Sequence, residues 1–322
     1  MPRVVDATDV NLREAAAMLG RGVPVAFPTE TVYGLGAPTH DERALQLVYE
    51  LKGRPHSNPL IAHVRDADEA ASLVASWDER ATRLAERFWP GALTMVLARA
   101  PHVPDRATGG RATIALRAPR HPIARALLDA FGGPISAPSA NRSGRISPTT
   151  AAHVASEFAD QSELFILDGG ASTLGIESTV VDLSTPQARL LRPGSITADE
   201  IASVIGPVER PRIAAQDASP GTSASHYAPR TPATLFRGSE LSVLLRTGGS
   251  AVVLGSRGLA VPAGHRHLIM PIDAVEYAAR LYAALREADD LGVARILIEL
   301  PVSEGGVWDA IRDRLVRAAA TA

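Results

Sequence analysis

"VPVAFPTETVYGLG", residues 23–36, decides how the first half of the chain folds. It opens with an apolar run, followed by a polar turn with two threonines and a glutamate, then Gly34 and Gly36. That order reads as a buried strand running into a loop whose glycines admit close backbone approach. Upstream, "DVNLREAAAMLG" (9–20) has helical spacing and ends on glycine. Downstream, "DERALQLVYELKG" (41–53) sets Ala44, Leu47, Val48 and Leu51 on a helix face, and "NPLIAHV" (58–64) is another apolar strand. Residues 67–88 read as one helix and 121–131 as another. "ALTMVLA", "RATIALRA", "PISAPSAN", "ELFILDGG", "ESTVVDLS" and "ARLLRPGSI" read as strands. Helices and strands alternate without a strict βαβ rhythm, so the fold class expected is α/β with a twisted mixed sheet.

From about residue 233 a second, smaller α/β unit begins. "ATLFR", "SAVVLGS", "HRHLIMPI" and "ARILIELP" are strand-like, and "DAVEYAARLYAALREADDLG" and "GVWDAIRDRLVRAAA" are amphipathic helices. The expected domains are 1–204 and 233–322, the second Rossmann-like, joined by a segment over 205–232. Within that segment "SPGTSASHYAPRTP" (219–232) has the composition of a spacer yet carries His226 and Tyr227 side by side.

The chain has 322 residues, is 46% hydrophobic and carries a net charge of −2. That charge argues against a protein that coats nucleic acid nonspecifically. No apolar run approaches the ~20 residues of a membrane helix, and the N-terminus lacks a signal-peptide core. A cytoplasmic protein without membrane contact is therefore expected. The absence of cysteine excludes disulfides, thiolate catalysis and cysteine-ligated zinc. Among 33 basic residues Lys52 is the single lysine. Arginine-rich base composition accounts for the rest but not for that position, where a compact ammonium differs from a guanidinium toward phosphate.

The familiar nucleotide-binding, kinase, zinc-protease and hydrolase motifs are missing. Polar loops nonetheless stand where strands should end. "KGRPHSNPL" (52–60) gathers Lys52, Arg54, His56 and Asn58; "SAPSANRSGRISPTT" (136–150) sets hydroxyls, an amide and guanidiniums after a core strand, a set suited to an anion. "LGIESTVVDLS" (174–184) and "LLRPGSIT" (190–197) place charged or hydroxyl residues beside strands. Arg117 lies in an apolar strand and needs a carboxylate, either internal or a ligand's. His63, in "LIAHV", reads by itself as a core histidine, and no spacing demands a protein-bound metal.

These blocks together closely resemble the YrdC-like threonylcarbamoyl-AMP synthase family in its longer, two-domain form. "PTETVYGLG", "KGRPHSNPLIAHV", "FWPGALTMVL", "LRAPRHP", "SAPSANRSGRISPTT", "DGGASTLGIESTVVD" and "LRPGSIT" occur in the family's order, and "SHYAP", "YAARLYAALREAD" and "AIRDRL" match the long form's tail. The resemblance implies a nucleotidyltransferase that joins L-threonine, bicarbonate or CO2, and ATP with Mg2+, into threonylcarbamoyl-AMP. The product would serve modification of the tRNA adenosine next to the anticodon. It implies a threonine pocket of Thr31, His63, Arg117, Ala137 and Ser178. ATP contacts would be Arg54, Asn58, Thr113, Ser139, Ser147, Arg192 and Tyr227, with Lys52 and Arg54 catalytic and His226 and Tyr227 in a lid. Expected partners are these substrates, a downstream threonylcarbamoyl-transferase and a weak tRNA contact. A noncatalytic RNA-binding module would need stacking aromatics, which make up only 4% of the chain. A carbamoyl-transferring relative on the same fold would need segments this cysteine-free chain lacks.

Overall fold

The computed structural model describes residues 1–210, 226–246 and 248–320. Eleven strands build the first sheet: β1 (Arg3–Asp6), β2 (Val25–Phe27), β3 (Gly34–Pro38), β4 (Ile61–His63), β5 (Leu93–Ala98), β6 (Thr113–Arg117), β7 (Ile135–Ala137), β8 (Phe165–Asp168), β9 (Thr179–Asp182), β10 (Ala188–Arg192) and β11 (Val208–Glu209). Their order is β1-β8-β2-β3-β7-β4-β6-β5-β9-β10-β11, and parallel and antiparallel neighbours mix. The mixed sheet expected from the sequence is therefore present. The sheet runs on through β11 into the segment read as a linker.

In two places local structure departs from the sequence reading. The loop expected at Gly34 and Gly36 is strand β3, paired antiparallel with β2. A Cβ on Gly36 would stand 2.6 Å from Ile135 and 2.7 Å from Phe27, so glycine lets this strand pass between two packed side chains. The single helix expected over 67–88 is two, Ala67–Ser72 and Glu79–Phe88. Between them Ala75 N–H donates to the Ala98 carbonyl at 2.8 Å, and Ala100 N–H to that of Leu73 at 2.9 Å. Asp78 then caps the second helix through Ala81 N–H. Bonds to the neighbouring β5 edge outweigh helical periodicity there.

The second domain has four parallel strands, β12 (Ala233–Phe236), β13 (Ala251–Gly255), β14 (Arg266–Ile269) and β15 (Arg295–Glu299), in the order β12-β15-β13-β14. Helices Ala274–Asp290 and Val307–Ala318 pack on it through Leu281, Leu285, Ile311 and Leu315. Each such side chain, fully buried, contributes ~1.5–3 kcal/mol. The same apolar cluster takes in Val32, Ile146 and Ile176 of the first domain, together with Tyr227. At Gly175 (φ +70°) the backbones approach so closely that a Cβ would lie 2.5 Å from Ala279 Cα. One core thus runs from the second domain into the first. Among the described residues no helix is long and apolar enough to cross a membrane.

Candidate active site

A half-open pocket lies where β2, β6, β7 and β10 end and β9 begins, and His226 and Tyr227 are part of its lining. Its lining draws on every polar block of the sequence: Thr31, Arg54, His63, Arg117, Ala137, Ser139, Ser178, Arg192 and Tyr227. Of the remaining residues of the expected site, Lys52, Asn58 and Ser147 stand directly behind lining residues, hydrogen-bonded to Ser139, Arg54 and Glu177. Lys52, Asn58, Thr113 and Ser147 are not part of this lining.

Arg117 finds an internal carboxylate. Its Nη2 lies 2.7 Å from Glu30 Oε1, both side chains being almost wholly buried. Nη1 donates to Thr31 Oγ1 at 2.8 Å and Nε to the Gly91 carbonyl at 3.1 Å. The buried Nη2 is thus held against the Glu30 carboxylate while Arg117 lines the pocket. Glu30 also accepts the backbone N–H groups of Arg120 and His121, at 3.1 and 3.2 Å. Burial would raise its carboxyl, but Arg117 and these donors outweigh burial and hold it at about 2. Strand register sets His63 beside Arg117. His63 Nδ1 is 3.1 Å from the Ile61 carbonyl, and burial, with Arg117 adding to it, pushes the imidazole down to about 3.

The 42–52 helix places the next pair. Asp41 caps its start and Gly53, at φ 58°, reverses the chain at its end, leaving Lys52 in the last turn and Arg54 just beyond. Arg54 donates to the Asn58 carbonyl (3.1 Å), Asn58 Oδ1 (2.7 Å) and the Pro59 carbonyl (2.9 Å). Asn58 thus orients the guanidinium from behind. Lys52 is buried, and its Nζ donates to the carbonyls of Ser139, at 2.5 Å, and Asn141. Burial, with Arg54 nearby, lowers its ammonium well below the usual lysine value. In this state the lone lysine ties the 139–141 loop to the helix end.

On the far wall Arg192 donates through Nε to the Ser178 carbonyl (3.0 Å) and through Nη2 to Ser178 Oγ (3.1 Å). Thr94 Oγ1 is 2.7 Å from the same hydroxyl. Ser147 donates at 2.6 Å to Glu177, another lining residue. His226 and Tyr227 sit ring to ring, their centroids 4.2 Å apart. Tyr227 is the one non-glycine residue with positive φ (62°) among the described residues, a conformation that packing must hold against strain. Residues 219–225 of the expected lid lie outside the described residues.

The sequence reading missed Thr29, Tyr33 and Glu177 in the lining. Glu177 lay within a quoted block, but its partners Tyr282 and Arg314 come from more than a hundred residues away, which local spacing cannot reveal.

These protonation states fix a pH response. His63 and His226 are held at about 3 and His153 at about 4, mainly by burial, against an ordinary 6.5. The unfolded chain therefore takes up protons below about 6.5 that the folded chain refuses, and stability falls as pH drops through that range. Glu30 and Glu177, each held at about 2 against 4.5, add a further loss below about 4.5. The melting temperature is expected to decline from about pH 6.5 downward. A level melting temperature down to about pH 5 would contradict the burial of these imidazoles as neutral groups.

Fold and pocket together define a two-domain α/β protein with a half-open pocket lined by Arg54, Arg117 and Arg192. The Sua5/YciO/YrdC family model, described as "Telomere recombination", matches residues 17–194. The model described as "Threonylcarbamoyl-AMP synthase, C-terminal domain" matches residues 196–320. The chain belongs to the Sua5/YrdC family of threonylcarbamoyl-AMP synthases. The threonylcarbamoyl-AMP synthase of Pyrococcus abyssi is 46% identical over 221 residues, 67% of this chain and 65% of that one. The Bacillus subtilis enzyme of the same name is 45% identical over 231 residues, 69% of this chain and 66% of that one. The chain thus spans about two thirds of the length of these curated relatives. A crystal structure of P. abyssi Sua5 complexed with L-threonine superposes with a TM-score of 0.90 at 37% identity, covering 98% of this chain and 97% of that chain.

Proposed function

We propose that this chain condenses L-threonine, bicarbonate or CO2, and ATP into threonylcarbamoyl-AMP and pyrophosphate, for threonylcarbamoyladenosine modification of tRNA. The observation that carries the reading is the convergence of Thr31, His63, Arg117, Ala137 and Ser178 with Arg54, Ser139, Arg192 and Tyr227 on one pocket. In this reading the two groups are the threonine and nucleotide halves of a single site. Arg117 meets the amino acid's carboxylate, and neutral His63 packs beside it. The amine, unprotonated, takes up CO2, and the resulting carbamate oxygen attacks the α-phosphorus as pyrophosphate leaves. Arg54 and Arg192 stabilise the negative charge that this step moves onto phosphate oxygens. Mg2+ enters with ATP as part of that substrate.

No covalent nucleophile is needed. Holding three reactants in line supplies the main acceleration, worth up to ~7–11 kcal/mol. Lys52 serves the reaction by fixing the Ser139–Asn141 carbonyls and, once the triphosphate is bound, by its charge next to Arg54. The lid residues His226 and Tyr227 exclude water and admit substrates by opening. The adenylate passes to a downstream threonylcarbamoyl-transferase in the cytoplasm, with only weak contact to tRNA.

Pyrophosphate release, measured with ATP plus threonine and bicarbonate, separately and together, tests the reading. Turnover is expected only when both accompany ATP. Turnover without threonine would exclude this substrate, and RNA binding with no turnover would make the chain a binding module.

A further inference from the structure

The second domain sends a buried cation to the back of the pocket wall. Glu177 lines the cavity, and its carboxylate accepts Ser147 Oγ at 2.6 Å, Tyr282 OH at 2.9 Å and Arg314 Nε at 3.1 Å. Tyr282 and Arg314 stand on helices Ala274–Asp290 and Val307–Ala318. The Arg314 side chain is wholly buried. It also donates to the carbonyls of Pro193 (2.7 Å) and Glu177 (3.4 Å), and to Asp313 (3.1 Å). Its guanidinium lies over the Tyr227 ring, 5.8 Å from the centroid, and that ring packs on Tyr282 at 5.4 Å. One arginine therefore touches the pocket wall, the loop after β10 and the lid tyrosine.

The charge arrangement gives this contact a purpose. Glu177 is a carboxylate in a cavity whose other charged walls include Arg54 and Arg192, the cations assigned to phosphate. Left alone, it would draw those guanidiniums to itself and repel a polyphosphate. Glu30 presents the same problem on the threonine side, where Arg117 answers it. Glu177 is answered from outside the first domain.

We infer that Arg314, with Tyr282, is a positioning residue for the nucleotide half of the site: it neutralises Glu177 from behind, keeping Arg54 and Arg192 directed at the triphosphate. The inference rests on the ATP-dependent reading above and assigns the second domain a part in ATP binding. Burial by itself would raise the Glu177 carboxyl, but Arg314 and then Arg192 hold it at about 2, so the residue is ionised in this arrangement.

Titration calorimetry with a nonhydrolysable ATP analogue and, separately, with L-threonine tests it. Arg314→Met is expected to weaken the analogue at least ~10-fold, because truncating one partner of a buried pair leaves the other charge unanswered. Threonine affinity is expected to stay at the wild-type value. Adding Glu177→Gln removes the uncompensated charge, so the double variant is expected to recover most of the lost analogue affinity, which a merely structural arginine would not allow. Unchanged analogue binding in Arg314→Met, an equal loss for threonine, or a double variant as weak as the single would each overturn the inference. Tyr282→Phe, which keeps the ring and removes one donor, decides the matter if Arg314→Met does not fold. A selective loss of analogue affinity supports the inference and wild-type affinity refutes it. Wild-type pyrophosphate release with all three substrates is run alongside. If the wild type is inactive the ATP-dependent reading fails, whereas an active wild type leaves these outcomes to bear on Arg314 alone.

Discussion

Arg117→Leu is expected to lower the melting temperature by about 6–20 °C and to abolish measurable L-threonine binding. The first figure follows from the ~3–5 kcal/mol cost of breaking a buried ion pair, at roughly 2–4 °C per kcal/mol for domains of this size. Glu30 would remain 3% exposed and without its guanidinium. Its carboxyl would then rise from about 2 to above the ordinary 4.5, since burial is already its largest influence. The sign of the pH response at this site would reverse. In the variant the folded chain holds the proton more tightly than the unfolded one, so the stability deficit should narrow as pH falls. Arg117→Leu combined with Glu30→Leu is expected to regain much of the stability but no threonine binding. Thermal melts across pH and calorimetry with threonine distinguish the two effects. Threonine binding retained by the single variant would remove Arg117 from the pocket's chemistry.

The second large effect concerns the lid. His226→Ala with Tyr227→Ala is expected to cut threonine-dependent pyrophosphate release at least ~100-fold, the scale of a small misplacement in a preorganised site. Both residues line the cavity, and Tyr227 is 1% exposed in spite of its strained backbone. Deleting 219–227 should act in the same way while the first domain's far-UV circular dichroism persists. The ring of Tyr227 also belongs to the second domain's apolar cluster. Some loss of thermal stability is therefore expected as well, within the ~3–5 kcal/mol of a large-to-small aromatic truncation. Undiminished turnover in either variant would reduce the segment to a spacer.

Much of the fold could be read from periodicity. The second domain's four strands fall within the four strand-like runs that mark them, most plainly β13 and β15, whose central residues are buried as a helix-covered parallel sheet requires. The 67–88 region was misread for the opposite reason. Its spacing suits a helix, but Leu73 and Ala75 exchange backbone hydrogen bonds with Ala100 and Ala98, a tertiary preference that leaves no periodic trace. β3 escaped notice because its glycines signal a loop until the crowding of Phe27 and Ile135 around Gly36 is seen.

Sequence alone determined the chemistry available to this protein. Thiolates were excluded, the cations were nearly all arginine, and the polar blocks stood at strand ends in a fixed order. Tertiary structure decided which of those groups share a cavity. Thr31, His63 and Arg117 meet because β4 and β6 run in register and Arg117 reaches across to Thr31. Lys52 instead turns inward to two carbonyls. Only the folded chain shows that each buried carboxylate at the site has its own arginine: Arg117 from the same sheet for Glu30, and Arg314 from the other domain for Glu177. The physical reason is range. Propensity and amphipathic spacing act over a few residues, whereas the cost of a buried charge is met by whichever opposite charge the fold brings within about 4 Å.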